Sequence, residues 1–182
     1  MSDDKRILLV IDMQNDFISG SLALPGAKKI VPGIKDAVEE FKDKSNCFNY
    51  KNRVVFTRDT HGWDYLNTHE GQKIPVTHCV KDTPGWCIVD DLAELAARNY
   101  ILNKRTFGVD WKKYFEGEDW DIYSVDITGV ASDICVVSNA LILRQQYPEI
   151  DIRVHKNLCA GTSPEMHEKA MDIMKSFCIE VV

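Results

Sequence analysis

Apolar residues along the chain fall into short runs, separated by stretches in which they recur at helical spacing among polar ones. Ile7-Leu8-Leu9-Val10-Ile11 is continuous and aliphatic without alternation, the pattern of a strand covered on both faces. Pro25-Gly26 and Pro32-Gly33 punctuate the next stretch, and after them Ile34, Val38 and Phe41 follow a helical period. Residues 53–57 predict a second strand, 91–97 a helix, 100–103 a third strand and 121–129 a fourth. Residues 132–143 predict an apolar helix with Ser132 or Asp133 as N-cap. A fifth strand over 151–154, a helix over 164–175 and a sixth strand over 179–182 complete the series. Strand and helix in alternation mean parallel pairing through right-handed crossovers. The expectation is therefore α/β: a single doubly wound domain over 1–182, with a mostly parallel six-stranded sheet and helices on both faces.

Residues 58–86 break the alternation. They hold no long apolar run, yet they carry three of the five histidines together with Trp63, Tyr65 and Trp86. Structureless stretches of this length inside compact domains are usually functional or disordered, and the aromatic content argues against disorder.

Composition narrows the function classes. With 182 residues, 45% apolar and 27% charged, the chain is long enough to build its own core. The net charge of −6 and the lack of any basic run argue against a nucleic-acid partner. The start is acidic, and its apolar run, residues 7–11, is too short for a membrane span or a signal sequence. The expected compartment is the cytoplasm, with the six cysteines reduced rather than paired. The expected partner is a small molecule, with no membrane involved and with room for a homo-oligomer.

In open parallel sheets, ligands sit beyond the carboxyl ends of the strands. The polar residues expected there are Asp12, Asp59 with His61, Lys104, and the segment from Ala131 to Cys135. Taken singly each is ordinary: a strand-ending Asp is often a turn residue, and a Cys in an apolar helix is usually a small core residue. Taken together they make a coherent acyl-transfer set. In the first turn of its helix Cys135 would have a lowered thiol pKa, with a nearby Lys104 lowering it further. Asp12 would carry the proton, and amides at the helix start would hold an oxyanion. Separately, Asp59, His61 and His78, with His69-Glu70 between them, suit Zn²⁺, Mn²⁺ or Fe²⁺ and leave coordination positions open.

At this point a resemblance appears. The chain is similar over nearly its whole length to the isochorismatase-like cysteine hydrolases, and within them to the nicotinamidases (pyrazinamidases). The segments that carry it are Ile11-Asp12-Met13-Gln14-Asn15-Asp16-Phe17, Gly20-Ser21-Leu22-Ala23-Leu24-Pro25-Gly26, Thr57-Arg58-Asp59-Thr60-His61, Pro75-Val76-Thr77-His78-Cys79, Lys104-Arg105-Thr106-Phe107-Gly108 and Gly129-Val130-Ala131-Ser132-Asp133-Ile134-Cys135-Val136. The resemblance implies a catalytic triad of Asp12, Lys104 and Cys135, acting on a carboxamide through a thioester. It also implies an oxyanion hole of the Ala131 and Cys135 amides, beside a cis peptide between Val130 and Ala131. It further implies one divalent metal ion, zinc first and manganese or iron next, held by Asp59, His61 and His78. Glu70 is the preferred fourth ligand and His69 the alternative. The metal's open position would take a pyridine nitrogen, and Phe17, Leu22 and Trp63 or Trp86 would sandwich the ring.

The activity implied is conversion of nicotinamide to nicotinate and ammonia, a salvage step for NAD. Two alternatives stand beside it. One is a related hydrolase acting on a carbamoyl or ureido amide, or on an isochorismate-type vinyl ether, although the vinyl-ether branch does without the Cys. The other is a noncatalytic, redox-sensing member of the fold.

Overall fold

A computed structural model describes residues 5–43, 52–116 and 122–182. Its six strands are β1 (Lys5–Ile11), β2 (Asn52–Asp59), β3 (Tyr100–Lys104), β4 (Ile122–Val130), β5 (Asp151–Ala160) and β6 (Glu180–Val181). They form one sheet in the order β3-β2-β1-β4-β5-β6, and every neighbouring pair is parallel. The chain starts at the centre, winds outward through β2 and β3, then returns to lay β4, β5 and β6 on the other side. The order reverses between β1 and β4, where a crevice opens beyond the strand ends.

Both faces of the sheet are covered. On one face Leu8, Val10, Val54 and Phe56 pack with the buried residues of α2 (Ala27–Asp43) and α4 (Asp90–Ala97). On the other, Ile7, Leu9, Val55, Val125 and Ile127 pack with α5 (Trp111–Phe115), α6 (Val137–Gln146) and α7 (Pro164–Ser176). The unbroken aliphatic run of β1 serves both cores at once, since successive side chains point to opposite faces. Among the described residues no helix is long and apolar enough to cross a membrane.

Several boundaries differ from the sequence pattern. Helix α2 begins at Ala27, so Pro32-Gly33 lies inside it. The buried stripe Ile30, Val31, Ile34, Val38 and Phe41 runs through the proline, and packing of that stripe outweighs its local disruption. The predicted helix over 132–143 opens instead as a π turn, Ser132–Val136, before α6 begins. Neither Ser132 nor Asp133 caps it; both side chains turn outward to other segments. The unpatterned stretch contains only short pieces: 3₁₀ turns at Tyr65–Asn67 and Pro84–Trp86, and the five-residue α3 (His69–Lys73), capped by Thr68, which accepts from the Gly71 N–H. The short α1 (Asn15–Ile18) and α5 were not legible in the pattern. Residue 121 and Cys47 lie outside the described residues, and the other five cysteines are unpaired.

Candidate active site

Strand register brings the reactive groups together. Ile11 of β1 lies opposite Gly129 of β4, so Asp12 and the Ala131–Cys135 segment leave adjacent strands at the reversal of strand order. Asp59 of β2 lies opposite Lys104 of β3, which places a carboxylate and an ammonium side by side. The approach of β1 to β4 depends on Gly129, whose φ is +111° and where an added Cβ would sit 2.1 Å from the Ile11 carbonyl oxygen. The peptide between Val130 and Ala131 is cis.

Asp12 is fully buried and has a left-handed backbone with φ 50°, a conformation costing roughly 1–3 kcal/mol in a non-glycine residue. Thr57 holds it there. Its hydroxyl donates to Asp12 Oδ1 at 2.6 Å and accepts from the Asp12 N–H at 3.2 Å. Lys104 Nζ stands 2.7 Å from Asp12 Oδ2, 3.5 Å from Cys135 Sγ and 3.5 Å from Asp59 Oδ1. Asp12 Oδ2 thus faces the Lys104 ammonium, while Oδ1 is taken by Thr57.

The electrostatics differ from the sequence expectation at one point. The Cys135 thiol is held well above its ordinary pKa, not below it. Its burial is the largest cause; the Lys104 ammonium opposes this, while Asp12 and Asp59 add to it. Asp12 is likewise pushed up, first by burial, with Lys104 pulling the other way. Lys104 is pushed up because Asp12, Cys135 and Asp59 together outweigh its desolvation.

The second cluster stands next to the first. One ligand atom each from Asp59, His61, Glu70 and His78 lies within 4.8 Å of all the others. His61 Nε2 is 3.0 Å from Asp59 Oδ2 and 3.6 Å from Glu70 Oε1, and His78 Nε2 is 3.7 and 3.9 Å from the same two oxygens. Donors around 2.0–2.1 Å from a tetrahedral ion lie about 3.3 Å apart, so this cage fits a divalent cation. His78 Nδ1 is bonded to the Val76 carbonyl at 2.7 Å, which leaves Nε2 free to face the cage. Burial, the largest influence on Asp59, raises its pKa, but His61, His78 and Lys104 outweigh it and keep the carboxyl ionised.

The irregular loop reaches this geometry through backbone pairing. The His61 N–H donates to the Cys79 carbonyl and the Lys81 N–H to the His61 carbonyl, which pins the His78 segment beside β2. Tyr65 packs its ring 4.5 Å from His61 and 4.9 Å from His78, and its hydroxyl donates to the Ile74 carbonyl and reaches Glu70. His69, the alternative ligand, is exposed and outside the cage.

A cavity of about 260 Å³ connects the two clusters. Phe17, Leu22, Leu24, Ile74, Phe107 and Ile134 give it apolar walls, and Asp59, Glu70, His78, Ala131, Cys135 and Thr162 complete the lining. Phe17 and Leu22 therefore line it. Trp63 and Trp86 do not. Trp63 is 83% exposed on a separate groove with Lys81 and Arg105. Trp86 is buried under the Arg58 guanidinium, 3.6 Å above its ring, and donates through Nε1 to Thr60. Loop geometry placed them, which residue type alone does not reveal. Gln14 is spent on backbone: it accepts from the Asp59 N–H and donates to the Asp59 and Trp86 carbonyls.

Sequence reasoning did not find Thr57, Tyr65, Phe107 or Thr162. Thr57 carried one readable signal, since it lies two residues before Asp59 on one strand and shares its face.

Comparison with known proteins agrees with this architecture. The Isochorismatase domain family matches residues 6–182. A nicotinamidase/pyrazinamidase of Mycobacterium tuberculosis is 28% identical, covering 97% of this chain and 98% of its own length. A probable inactive nicotinamidase of Arabidopsis thaliana is also 28% identical, covering 95% of this chain and 89% of its own. Among solved structures, the pyrazinamidase of Pyrococcus horikoshii in complex with zinc superposes with a TM-score of 0.81 at 30% identity, covering 98% of each chain. The chain belongs to the isochorismatase family.

Proposed function

We propose that the protein is a metal-dependent cysteine amidohydrolase that converts nicotinamide to nicotinate and ammonia. The observation that carries this reading is the position of Lys104 Nζ. It stands between Asp12 at 2.7 Å and Cys135 Sγ at 3.5 Å, and Cys135 lines an apolar cavity that Asp59, Glu70 and His78 of the cage line as well. The similarity to proteins named as nicotinamidases and pyrazinamidases, one of them solved with zinc, supports the same assignment.

Phe17 and Leu22 flank a flat ring and exclude water from it. Asp59, His61, Glu70 and His78 would hold a divalent ion, which would supply a Lewis acid for a ring nitrogen. With the ring so oriented, Cys135 Sγ attacks the amide carbon while its proton passes to Asp12. The high resting pKa of the thiol makes that transfer part of the attack, and the raised pKa of Asp12 makes it a suitable acceptor. The Ala131 and Cys135 amides take the oxyanion. The C–N bond breaks as Asp12 returns the proton to nitrogen, and ammonia leaves a thioester. Asp12 then takes a proton from water as it attacks, the C–S bond breaks, and the thiol is restored. Lys104 holds Asp12 and balances its charge throughout.

The walls favour a neutral amide over the alternatives. No Arg or Lys lines the cavity, while Asp59 and Glu70 do. A carbamoyl acid or an isochorismate-type substrate would bring a carboxylate into a cavity whose described lining offers it no cationic side chain. A reduced, cytoplasmic setting and a role in NAD salvage belong to the same reading. The test is ammonia release from nicotinamide by the purified protein beside Cys135→Ala. Turnover that vanishes in the variant is expected; turnover that persists, or a metal-loaded wild type without any, overturns the proposal.

A further inference from the structure

The segment Ser132–Val136 carries the thiol and, with Ala131, both amides that the proposed mechanism assigns to the oxyanion, yet it is a π turn without a capping side chain. Its backbone bonds close it locally: the Ile134 and Val136 N–H groups meet the Ala131 carbonyl, and the Val137 N–H meets the Ser132 and Ile134 carbonyls. Its remaining anchors lie outside the turn. On one side Asn139 donates to the Cys135 carbonyl at 2.7 Å. On the other, two side chains reach the β5–α7 connection. Ser132 Oγ, fully buried, is hydrogen-bonded to His167 Nδ1 of α7 at 2.9 Å. Asp133 accepts from the Thr162 N–H at 2.9 Å and from the Thr162 hydroxyl. Thr162 itself forms part of the cavity wall. The three partners meet over Gly161, where an added Cβ would lie 2.7 Å from Ser132 Oγ, 2.8 Å from Asp133 Oδ1 and 3.1 Å from His167 Cβ.

We infer that His167 is a positioning residue for the oxyanion hole, acting through Ser132 to fix the turn that carries the Ala131 and Cys135 amides. The inference rests on the amidohydrolase reading above and extends it to a residue well outside the cavity. The physical reason is tolerance. Donors stabilise a developing oxyanion only when both point at one place, and a displacement near 1 Å costs on the order of 100-fold in rate. Those local bonds shape the turn, but its seat against α7 and the segment before it rests on the Ser132 and Asp133 side chains. His167 meets it from α7, with Glu168, Lys156 and Asp133 as its charged surroundings, and burial keeps its imidazole on the neutral side.

The experiment compares wild type, His167→Ala, His167→Asn and Gly161→Ala in nicotinamide turnover, with backbone hydrogen exchange of residues 131–136 measured on each folded protein. Removing the imidazole is expected to lower kcat about 10–100-fold with KM within about threefold, because ring binding is untouched. His167→Asn keeps a polar group near the Nδ1 position and is expected to recover kcat to within about threefold. Gly161→Ala, which wedges the same junction apart, should reproduce the kcat loss. Exchange in the turn should rise in His167→Ala and Gly161→Ala and not in His167→Asn. Unchanged kcat and exchange in folded His167→Ala overturn the inference, as does an asparagine variant no better than alanine. If the wild type shows no turnover, the activity reading has failed, and exchange in the turn alone decides this one by the same pattern.

Discussion

Two buried aspartates end neighbouring strands, each within reach of the same ammonium, and they are driven in opposite directions. Asp12 is pushed up, chiefly by burial, because its compensation comes from Lys104 and Thr57 alone and Asp59 works against it. Asp59 is pulled far down, because two imidazoles and Lys104 overcome the same desolvation. One fold thereby makes a carboxyl able to take up and release a proton and another that stays an anion. The first suits acid–base work and the second suits a cation ligand. The difference lies in the neighbours and not in the residue.

The comparison breaks most sharply by neutralising each carboxyl in turn. Asp12→Asn should remove about 10⁴-fold or more of kcat while metal content, read by elemental analysis, stays stoichiometric. Asp59→Asn should lose metal affinity by at least about 100-fold, with activity lost in step and partly restored at high metal concentration. If Asp12→Asn empties the cage, or Asp59→Asn stays fully loaded, the division of labour is wrong.

A subtler change sharpens the comparison. The Thr57 hydroxyl stabilises the ionised form of Asp12, so its removal in Thr57→Val raises the Asp12 pKa further. In the proposed mechanism ionised Asp12 accepts the thiol proton, so the acid limb of kcat/KM against pH should move to higher pH. A hydrogen bond to a charged group is worth about 1.5–3 kcal/mol, so kcat/KM near neutrality should fall by about 10–100-fold. An acid limb that stays put would show that Asp12 is not the titrating base.

The smallest effect belongs to a residue that the aromatic pattern nominated. Trp63→Ala, at an exposed position outside the cavity, should change stability by no more than about 0.5 kcal/mol and leave KM for nicotinamide within twofold. A large rise in KM would return Trp63 to the ring site.

The contrast between Trp63 and Asp59 also marks what the sequence could yield. Strand-end residues were legible because a strand fixes its own direction, and the sheet order carries Asp12, Asp59 and Lys104 to one rim. Glu70 and the two histidines were legible as donors, but their convergence depended on backbone bonds between His61 and the Cys79–Lys81 segment, which residue spacing does not encode. The ring walls were least legible, since Phe107 and Thr162 come from connections whose lengths do not set a path. The direction of the Cys135 shift was misread for a related reason. The pattern placed Cys135 in the first turn of a helix capped by Ser132 or Asp133, whereas it lies in an uncapped π turn that precedes α6, and the pattern did not carry its depth of burial.

The approach of β1 to β4 at Gly129 has a consequence for how fragility is distributed along the chain. Gly129 donates nothing to substrate, metal or proton, yet any side chain there would collide with the backbone of the residue preceding Asp12. The resulting spread of the two strands would separate Asp12 from Cys135 while leaving each intact. In a survey of substitution tolerance, this mute position would stand beside Cys135 among the least replaceable in the protein. Intolerance alone would not tell the reagent from the spacer that keeps the reagents in reach.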